Sequence, residues 1–168
     1  MITLHTERLL LRPPEGGDAE VLAAIHQEPE ALKYILGGVP PAAGVEVAWR
    51  NIAMLIGHWH LRGFGSWIVV DKSSGEVIGR VGLWQPPGWP GCELNWLIRS
   101  AWGNRGLATE AAREALKWAF QQPQVDRIIS LIQPDNVPSI RVAVKIGQTH
   151  TSDRVIAGTV LHEYSISR

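Results

Sequence analysis

Trp102-Gly103-Asn104-Arg105-Gly106-Leu107-Ala108-Thr109-Glu110-Ala111 joins an apolar run of strand length, Leu94 to Ile98, to residues at helical spacing: Leu107, Ala111, Ala115, Leu116 and Ala119. Glycines between a strand and a helix let backbone amides approach an anion closely, and the first turn of a helix adds unpaired N–H groups and a favourable dipole. Asn104, Arg105, Gly106, Leu107, Ala108 and Thr109 therefore form a candidate pyrophosphate cradle. It is not a P-loop, since no Lys-Ser or Lys-Thr pair follows the last glycine, and it lacks the G-x-G-x-x-G dinucleotide fingerprint. Close packing at a strand-to-helix turn is the competing explanation of the same glycines.

N-terminal to this stretch, Trp67 to Val70, Val77 to Leu83 and Leu94 to Ile98 are three apolar runs with the pattern of an antiparallel meander. They are joined by Lys72-Ser73-Ser74-Gly75 and Pro86-Pro87-Gly88-Trp89-Pro90-Gly91. Before them, Leu9-Leu10-Leu11 reads as a strand closed by Pro13-Pro14. Asp18 is placed to cap a helix that Glu28-Pro29 stops, and Ala43 to His60 reads as a second helix broken by Gly63 and Gly65. On the C-terminal side, Arg127 to Ile132 reads as a strand and Ser139 to Ile146 as a short helix. The runs around Val155 and from Val160 to Ile166 read as a hairpin turning at Ala157-Gly158. The order β-α-α-β-β-β-α-β-α-β-β predicts a mixed α/β fold with one largely antiparallel sheet of six to seven strands and about four flanking helices. One helix crosses between neighbouring strands, and there the sheet is expected to splay and leave a cofactor cleft.

At 168 residues and 45% hydrophobic content the chain can bury one sizeable core, so a single domain over residues 1–168 is expected. Its 16 basic residues balance 16 acidic ones, which leaves no long-range field to draw in nucleic acid or a membrane surface. No apolar run approaches the ~20 residues that span a bilayer. Cys92 is the only cysteine, and Met1-Ile2-Thr3-Leu4 does not begin a basic segment followed by a long apolar one, so a cytoplasmic protein is expected. Trp49, Trp59, Trp84, Trp89, Trp96 and Trp102 fall in segments that flank or form the expected cleft, with core packing as the simpler role. The closing strands and the tryptophans are compatible with a symmetric homodimer.

Glu93-Leu94-Asn95-Trp96-Leu97-Ile98 precedes the glycine turn, and Asn136-Val137-Pro138-Ser139 with Lys145-Ile146-Gly147 follows it. Together these segments resemble the GNAT superfamily of N-acetyltransferases, and within it the ribosomal-protein-alanine acetyltransferase branch. Thr6-Glu7-Arg8-Leu9-Leu10-Leu11-Arg12 looks like the family's opening strand and Gly75-Glu76-Val77-Ile78-Gly79 like its central hairpin, so the resemblance covers nearly the whole chain. Two positions depart from the pattern. Gly103 stands where the wider superfamily has Gln or Arg, with Arg105 as a substitute positive charge, and Gln148 replaces the aromatic residue that usually follows Lys-x-Gly.

The resemblance implies a GNAT-like fold, acetyl-CoA as co-substrate, no metal, and a primary amine as acceptor, either a peptide N-terminus or a small molecule such as an antibiotic or polyamine. A catalytically silent acyl-CoA-binding sensor is the alternative from a different class. Acetyl transfer to an amine needs a neutral nucleophile, stabilisation of an oxyanion and a proton for the departing thiolate. Along a strand, Glu93, Asn95 and Leu97 share one face. Glu93 is the candidate base, the alternative being a solvated residue at a strand start. Backbone N–H groups of Leu97 or Ile98 are candidate oxyanion donors. The resemblance puts Ser139 near the coenzyme A sulfur as a proton donor and Asn136 on the pantetheine arm, while Ser139 also suits a helix cap and Asn136 a turn. His58 and His60 are two apart and cannot form an i, i+4 metal pair on a helix. His162 and Tyr164 share a strand face, with Tyr164 as a fallback proton donor, and Cys92 reads as a structural thiol. The loops Tyr34 to Pro41 and Gln85 to Gly91 are expected to set acceptor specificity. If the glycine turn holds a pyrophosphate, Gly106→Val should weaken coenzyme A binding strongly in a protein that still folds; unchanged affinity by calorimetry would remove the cradle assignment.

Overall fold

The chain folds around one eight-stranded sheet, described by a computed structural model over residues 1–34 and 44–168. Its strands are β1 (Leu4–His5), β2 (Leu9–Arg12), β3 (Ser66–Asp71), β4 (Val77–Trp84), β5 (Cys92–Ile98), β6 (Arg127–Ile132), β7 (Thr149–Ile156) and β8 (Thr159–Ser167), in the spatial order β1-β2-β3-β4-β5-β6-β8-β7. Every neighbouring pair is antiparallel except β5 and β6, which run parallel across a helical crossover. The helices are α1 (Ala19–His26), the single turn α2 (Pro29–Leu32), α3 (Val45–Arg62), α4 (Leu107–Ala119) and α5 (Val137–Lys145).

The mixed α/β architecture expected from the sequence is present, with one strand more than the expected six to seven. The addition is β1, whose two residues pair with Leu10 and Leu11; a strand this short displays no period to read. Pro29 does not simply stop α1. It opens α2, as a residue with no N–H to lose is suited to do at a first helical position. Asp18 occupies the cap position of α1 without a side-chain cap bond. Its buried carboxylate instead takes both nitrogens of the Arg12 fork at 2.9 and 2.5 Å and the Glu15 N–H at 2.7 Å. Ala43 and the acceptor loop beyond Tyr34 lie outside the described residues.

Alternation along the strands sorts the core onto two faces. On one, Leu9, Leu11, Val69, Val81, Leu83 and Leu94 pack against Leu107, Ala111, Ala115 and Ala119 of α4, whose small residues let the helix lie close. The same layer holds three tryptophans edge to face: Trp67 of β3 lies 5.0 Å from Trp59 of α3 and 5.2 Å from Trp118 of α4. On the other face, Ile68 and Val70 meet Leu22 and Ile25 of α1 and Ile52 of α3. The two ends of the chain's motif set are fastened by one carboxylate. Glu110 of α4 accepts from Thr6 Oγ1 at 2.5 Å, Arg8 N at 2.9 Å and Arg8 Nε at 2.7 Å. Burial raises the Glu110 pKa, but these donors outweigh it and hold the group below its ordinary value.

Gln148, the departure noted after Lys145-Ile146-Gly147, is 2% exposed, and neither its Oε1 nor its Nε2 meets a partner among the described residues. A buried amide without hydrogen bonds is a standing cost, whereas an apolar side chain of similar volume has none. Gln148→Leu is therefore expected to stabilise the protein by about 1–3 kcal/mol, read as a higher Tm in thermal unfolding.

Candidate active site

The parallel pairing of β5 with β6 lasts for two registered positions, Cys92 with Ile128 and Glu93 with Ile129. Beyond them Ser130 Oγ donates to Leu94 O at 2.6 Å, and past that point the strands separate. In an extended strand the N–H and C=O of one residue point the same way and alternate from residue to residue. Leu94 O faces β6, so the amides of Trp96 and Ile98 face the gap. Arg99 N donates to Ile78 O of β4 at 2.8 Å, so the amides of Asn95 and Leu97 face β4. Of the two amides proposed as oxyanion donors, Ile98's is the one directed into the opening.

The gap continues into a cavity of about 940 Å³. Glu93, Leu97, Ile98, Asn104, Gly106, Leu107, Ala108, Thr109, Asn136 and Ser139 all line it, so ten of the eleven residues singled out in the sequence converge. Gly106 sits at φ 78°, a left-handed conformation that lets the chain turn from the loop into α4 without a Cβ penalty. The N-cap is Gly106 itself, which has no side chain to cap the helix, and the first turn leaves the amides of Leu107, Ala108 and Thr109 without helical partners. Arg105 is the exception. Its guanidinium lies over the Trp102 ring at 5.0 Å, its carbonyl accepts from Arg8 Nη1 at 3.0 Å, and it does not line the cavity. Arg141 and Lys145 of α5 do line the cavity, and Lys145 also borders a second recess with Gly106 and Thr109.

At the start of α5 the two polar candidates divide their roles. Asn136 Oδ1 accepts from Ser139 N at 3.2 Å, so Asn136 is the cap and Ser139 is the third helical residue. That leaves the Asn136 Nδ2 and the Ser139 hydroxyl, both half-buried, on the cavity.

Glu93 is not a solvated strand-start residue. It is 8% exposed, and Trp89 Nε1 donates to its Oε2 at 2.7 Å. Burial pushes the carboxyl up to about 7, against the Trp89 N–H and the charge of Arg80, which pull it down. Glu93 stands opposite Trp84 of β4, on the face that also carries Asn95 and, across from Leu97, Arg80. Arg80 Nη1 donates to Asn95 Oδ1 at 2.7 Å. His26 of α1 lines the same cavity, its pKa lowered to about 4 by burial and then by Arg80, so its ring is neutral at pH 7. The sequence places Trp89 among the residues flanking the cleft and in the Gln85 to Gly91 specificity loop, and marks neither Arg80 nor His26 as a site residue. Arg80 left a signal, a single charge inside the apolar run Val77 to Leu83; His26 left none.

Other candidates are accounted for differently. His58 is buried: Gln85 N donates to its Nε2 at 3.0 Å, which leaves Nδ1 to donate to Phe64 O at 2.9 Å, and its ring stacks on Trp84 at 4.6 Å. It shapes the loop beside the cavity, while His60 is exposed. Burial, and then Glu93, pushes the Cys92 thiol up to about 12, as a structural thiol requires. Tyr164 packs with Ile132 and Ala143 in the core, and His162 meets His150 and Asp153 on the final hairpin with ligand-type atoms within 4.8 Å of one another, a grouping that sequence spacing did not show.

Residues 8–149 match the family model described as an acetyltransferase (GNAT) domain. The chain belongs to the GNAT acetyltransferase family. This acetyltransferase is 34% identical over 145 residues to the uncharacterized N-acetyltransferase p20 of Bacillus licheniformis, covering 84% of this chain and 79% of that one. It also superposes on the crystal structure of an acetyltransferase from Agrobacterium tumefaciens with a TM-score of 0.86 and 30% identity, covering 100% and 95% of the two chains. A ribosomal L7/L12 alpha-N-protein acetyltransferase solved with coenzyme A shares the fold, with a TM-score of 0.82 at 13% identity and coverage of 99% and 98%.

A carboxyl whose folded pKa is raised binds its proton more tightly in the folded chain than in the unfolded one, so stability falls as pH rises from about 4.3 to about 7. Glu93→Gln keeps an acceptor for Trp89 and removes that cost. The variant should be more stable than the parent at pH 8, on the order of 1–3 kcal/mol, and no more stable at pH 4. Thermal unfolding at the two pH values checks the sign.

Proposed function

We propose that this acetyltransferase moves an acetyl group from acetyl-coenzyme A to a primary amine by direct attack in a ternary complex, in the cytoplasm. The observation that carries the reading is that one cavity contains both an uncapped helix start and a buried carboxyl poised near pH 7. The fit to the cofactor rests on the glycine turn, the free first-turn amides of α4, and Arg141 and Lys145 beside them, a donor set suited to a pyrophosphate. The solved relative with coenzyme A shares this fold, which supports the same choice. When bound, the cofactor supplies an acetyl thioester.

The chain's own residues divide the remaining work. Glu93 takes a proton from the substrate ammonium, directly or through water, and its raised pKa suits it to exchange protons near neutrality. The Ile98 N–H faces the gap where charge develops on the carbonyl oxygen. Ser139 holds a proton for the departing thiolate, and Asn136 Nδ2 is placed to bond the pantetheine arm. A groove bordered by Leu22 and His26 of α1 and by Asn51, Met54 and Leu55 of α3 favours a peptide-like amine over a polyamine or aminoglycoside. A silent sensor has no use for a buried base beside a hydroxyl in the same cavity.

In a thiol-release assay with a peptide acceptor, Glu93→Gln should lower turnover by roughly 10²–10⁴-fold with coenzyme A affinity nearly unchanged. Ser139→Ala should slow turnover less, because a thiolate is already a tolerable leaving group near neutral pH. The acidic limb of the rate profile should vanish in the Glu93 variant. Persistence of that limb with turnover intact would return Glu93 to a structural role.

A further inference from the structure

Four arginines are half-buried: Arg12, Arg80, Arg99 and Arg154. Three of them end on a carboxylate, Arg12 on Asp18, Arg99 on Glu28 and Arg154 on Glu163. Arg80 does not. Among the described residues its guanidinium meets the neutral Asn95 Oδ1 at 2.7 Å and forms no ion pair. The segment outside them, residues 35–43, reads ILGGVPPAA and contains no acidic residue that could supply one. A desolvated cation is costly unless an anion or several acceptors face it. A guanidinium has five donors in a fork that matches a carboxylate, so Arg80 holds unspent binding capacity.

Its position says what that capacity is for. Arg80 lines the same cavity as Glu93, on the sheet face that α1 and α3 cover. Asn95, its hydrogen-bond partner, is two residues from Glu93 on the same face of β5, a separation of about 7 Å. The remaining basic group in this corner, His26, is neutral at pH 7 and offers no competing charge. Glu93 acts on Arg80 through space but makes no ion pair with it among the described residues, so the guanidinium keeps donors for a ligand carboxylate.

We propose that the acceptor carries a carboxylate within one residue's length of its amine, and that Arg80, steadied by Asn95, is the group that holds it while Glu93 receives the ammonium. This deepens the acetyltransferase reading and rests on it. The ligand chemistry is an amino-acid-like ampholyte, either a free amino acid or a peptide whose first residue is acidic. A two-point grip of this kind fixes the amine's direction as well as its affinity, which an amine pocket with one charge cannot do.

The test uses the full chain loaded with coenzyme A for calorimetry and with acetyl-coenzyme A for thiol release. The acceptors are free amino acids, dipeptides with acidic first residues, the carboxamide of each, and spermidine. Carboxylate acceptors should bind roughly 10–100-fold more tightly than their carboxamides, the range of a charge-assisted hydrogen-bond pair. Arg80→Gln should bring the two classes level through KM, with coenzyme A affinity retained as the sign of a folded protein. Arg80→Lys, which keeps the charge and loses the fork, should restore part of the preference and decides the matter if the Gln variant does not fold. Free amino acids and acidic dipeptides are separated by which of the two shows the larger Arg80-dependent preference. Equal binding of carboxamides or spermidine, or a preference that survives Arg80→Gln, overturns the proposal. Arg80-dependent binding without thiol release keeps the carboxylate subsite and overturns the transfer activity instead.

Discussion

The separation of β5 from β6 after two registered pairs is the constraint on which the site depends. Parallel strands joined by a helix would ordinarily continue their ladder, and each further pair would consume the amides facing the gap. Here Ser130 closes the last shared position by donating to Leu94 O, and from Trp96 onward the backbone of β5 that faces β6 is left without a registered β6 partner. The starts of α4 and of α5 both line the same cavity. One interruption in a sheet thus brings the glycine turn, the gap-facing strand amides and the cavity together.

Where the strands part, burial governs the chemistry. Glu93 sits at the last registered β5–β6 position and is buried. Desolvation raises its pKa more than the Trp89 N–H and Arg80 lower it. The opposite balance holds at Glu110, where burial is outweighed by three donors from Thr6 and Arg8, and that carboxylate stays ionised and structural. The pKa values of two glutamates of one chain therefore shift in opposite directions, because Glu110 has several donors and Glu93 a single indole N–H.

The N-terminal hairpin matters to the site although none of it lines the main cavity. Arg8 binds the carboxylate of Glu110 and the carbonyl of Arg105, so the first strands hold the glycine turn from behind. The stacking of Arg105 on Trp102 stiffens the same turn from outside. Preorganised backbone amides depend on a fixed backbone, and these contacts, most of them from a remote part of the chain, fix the turn.

Most of the fold was legible because it follows from local periods. Arg127 to Ile132 and Leu107 to Ala119 agree with β6 and α4 at both ends, and the Ala157-Gly158 turn falls where a two-residue hairpin needs left-handed residues. The glycine turn and the Glu93, Asn136 and Ser139 positions were legible as motifs, since each is a short stretch whose chemistry depends on its neighbours in sequence. Local pattern did not contain β1, the partnering of Asp18 with Arg12, the withdrawal of Arg105 onto Trp102, or the burial of the Gln148 amide. It also left open which of Leu97 and Ile98 turns its amide to the gap, and it could not place His26 or Arg80 beside Glu93. Those outcomes depend on register and on contacts between residues up to a hundred positions apart, and whether a polar group meets a partner or stays bare is decided only when the sheet and its helices close over it.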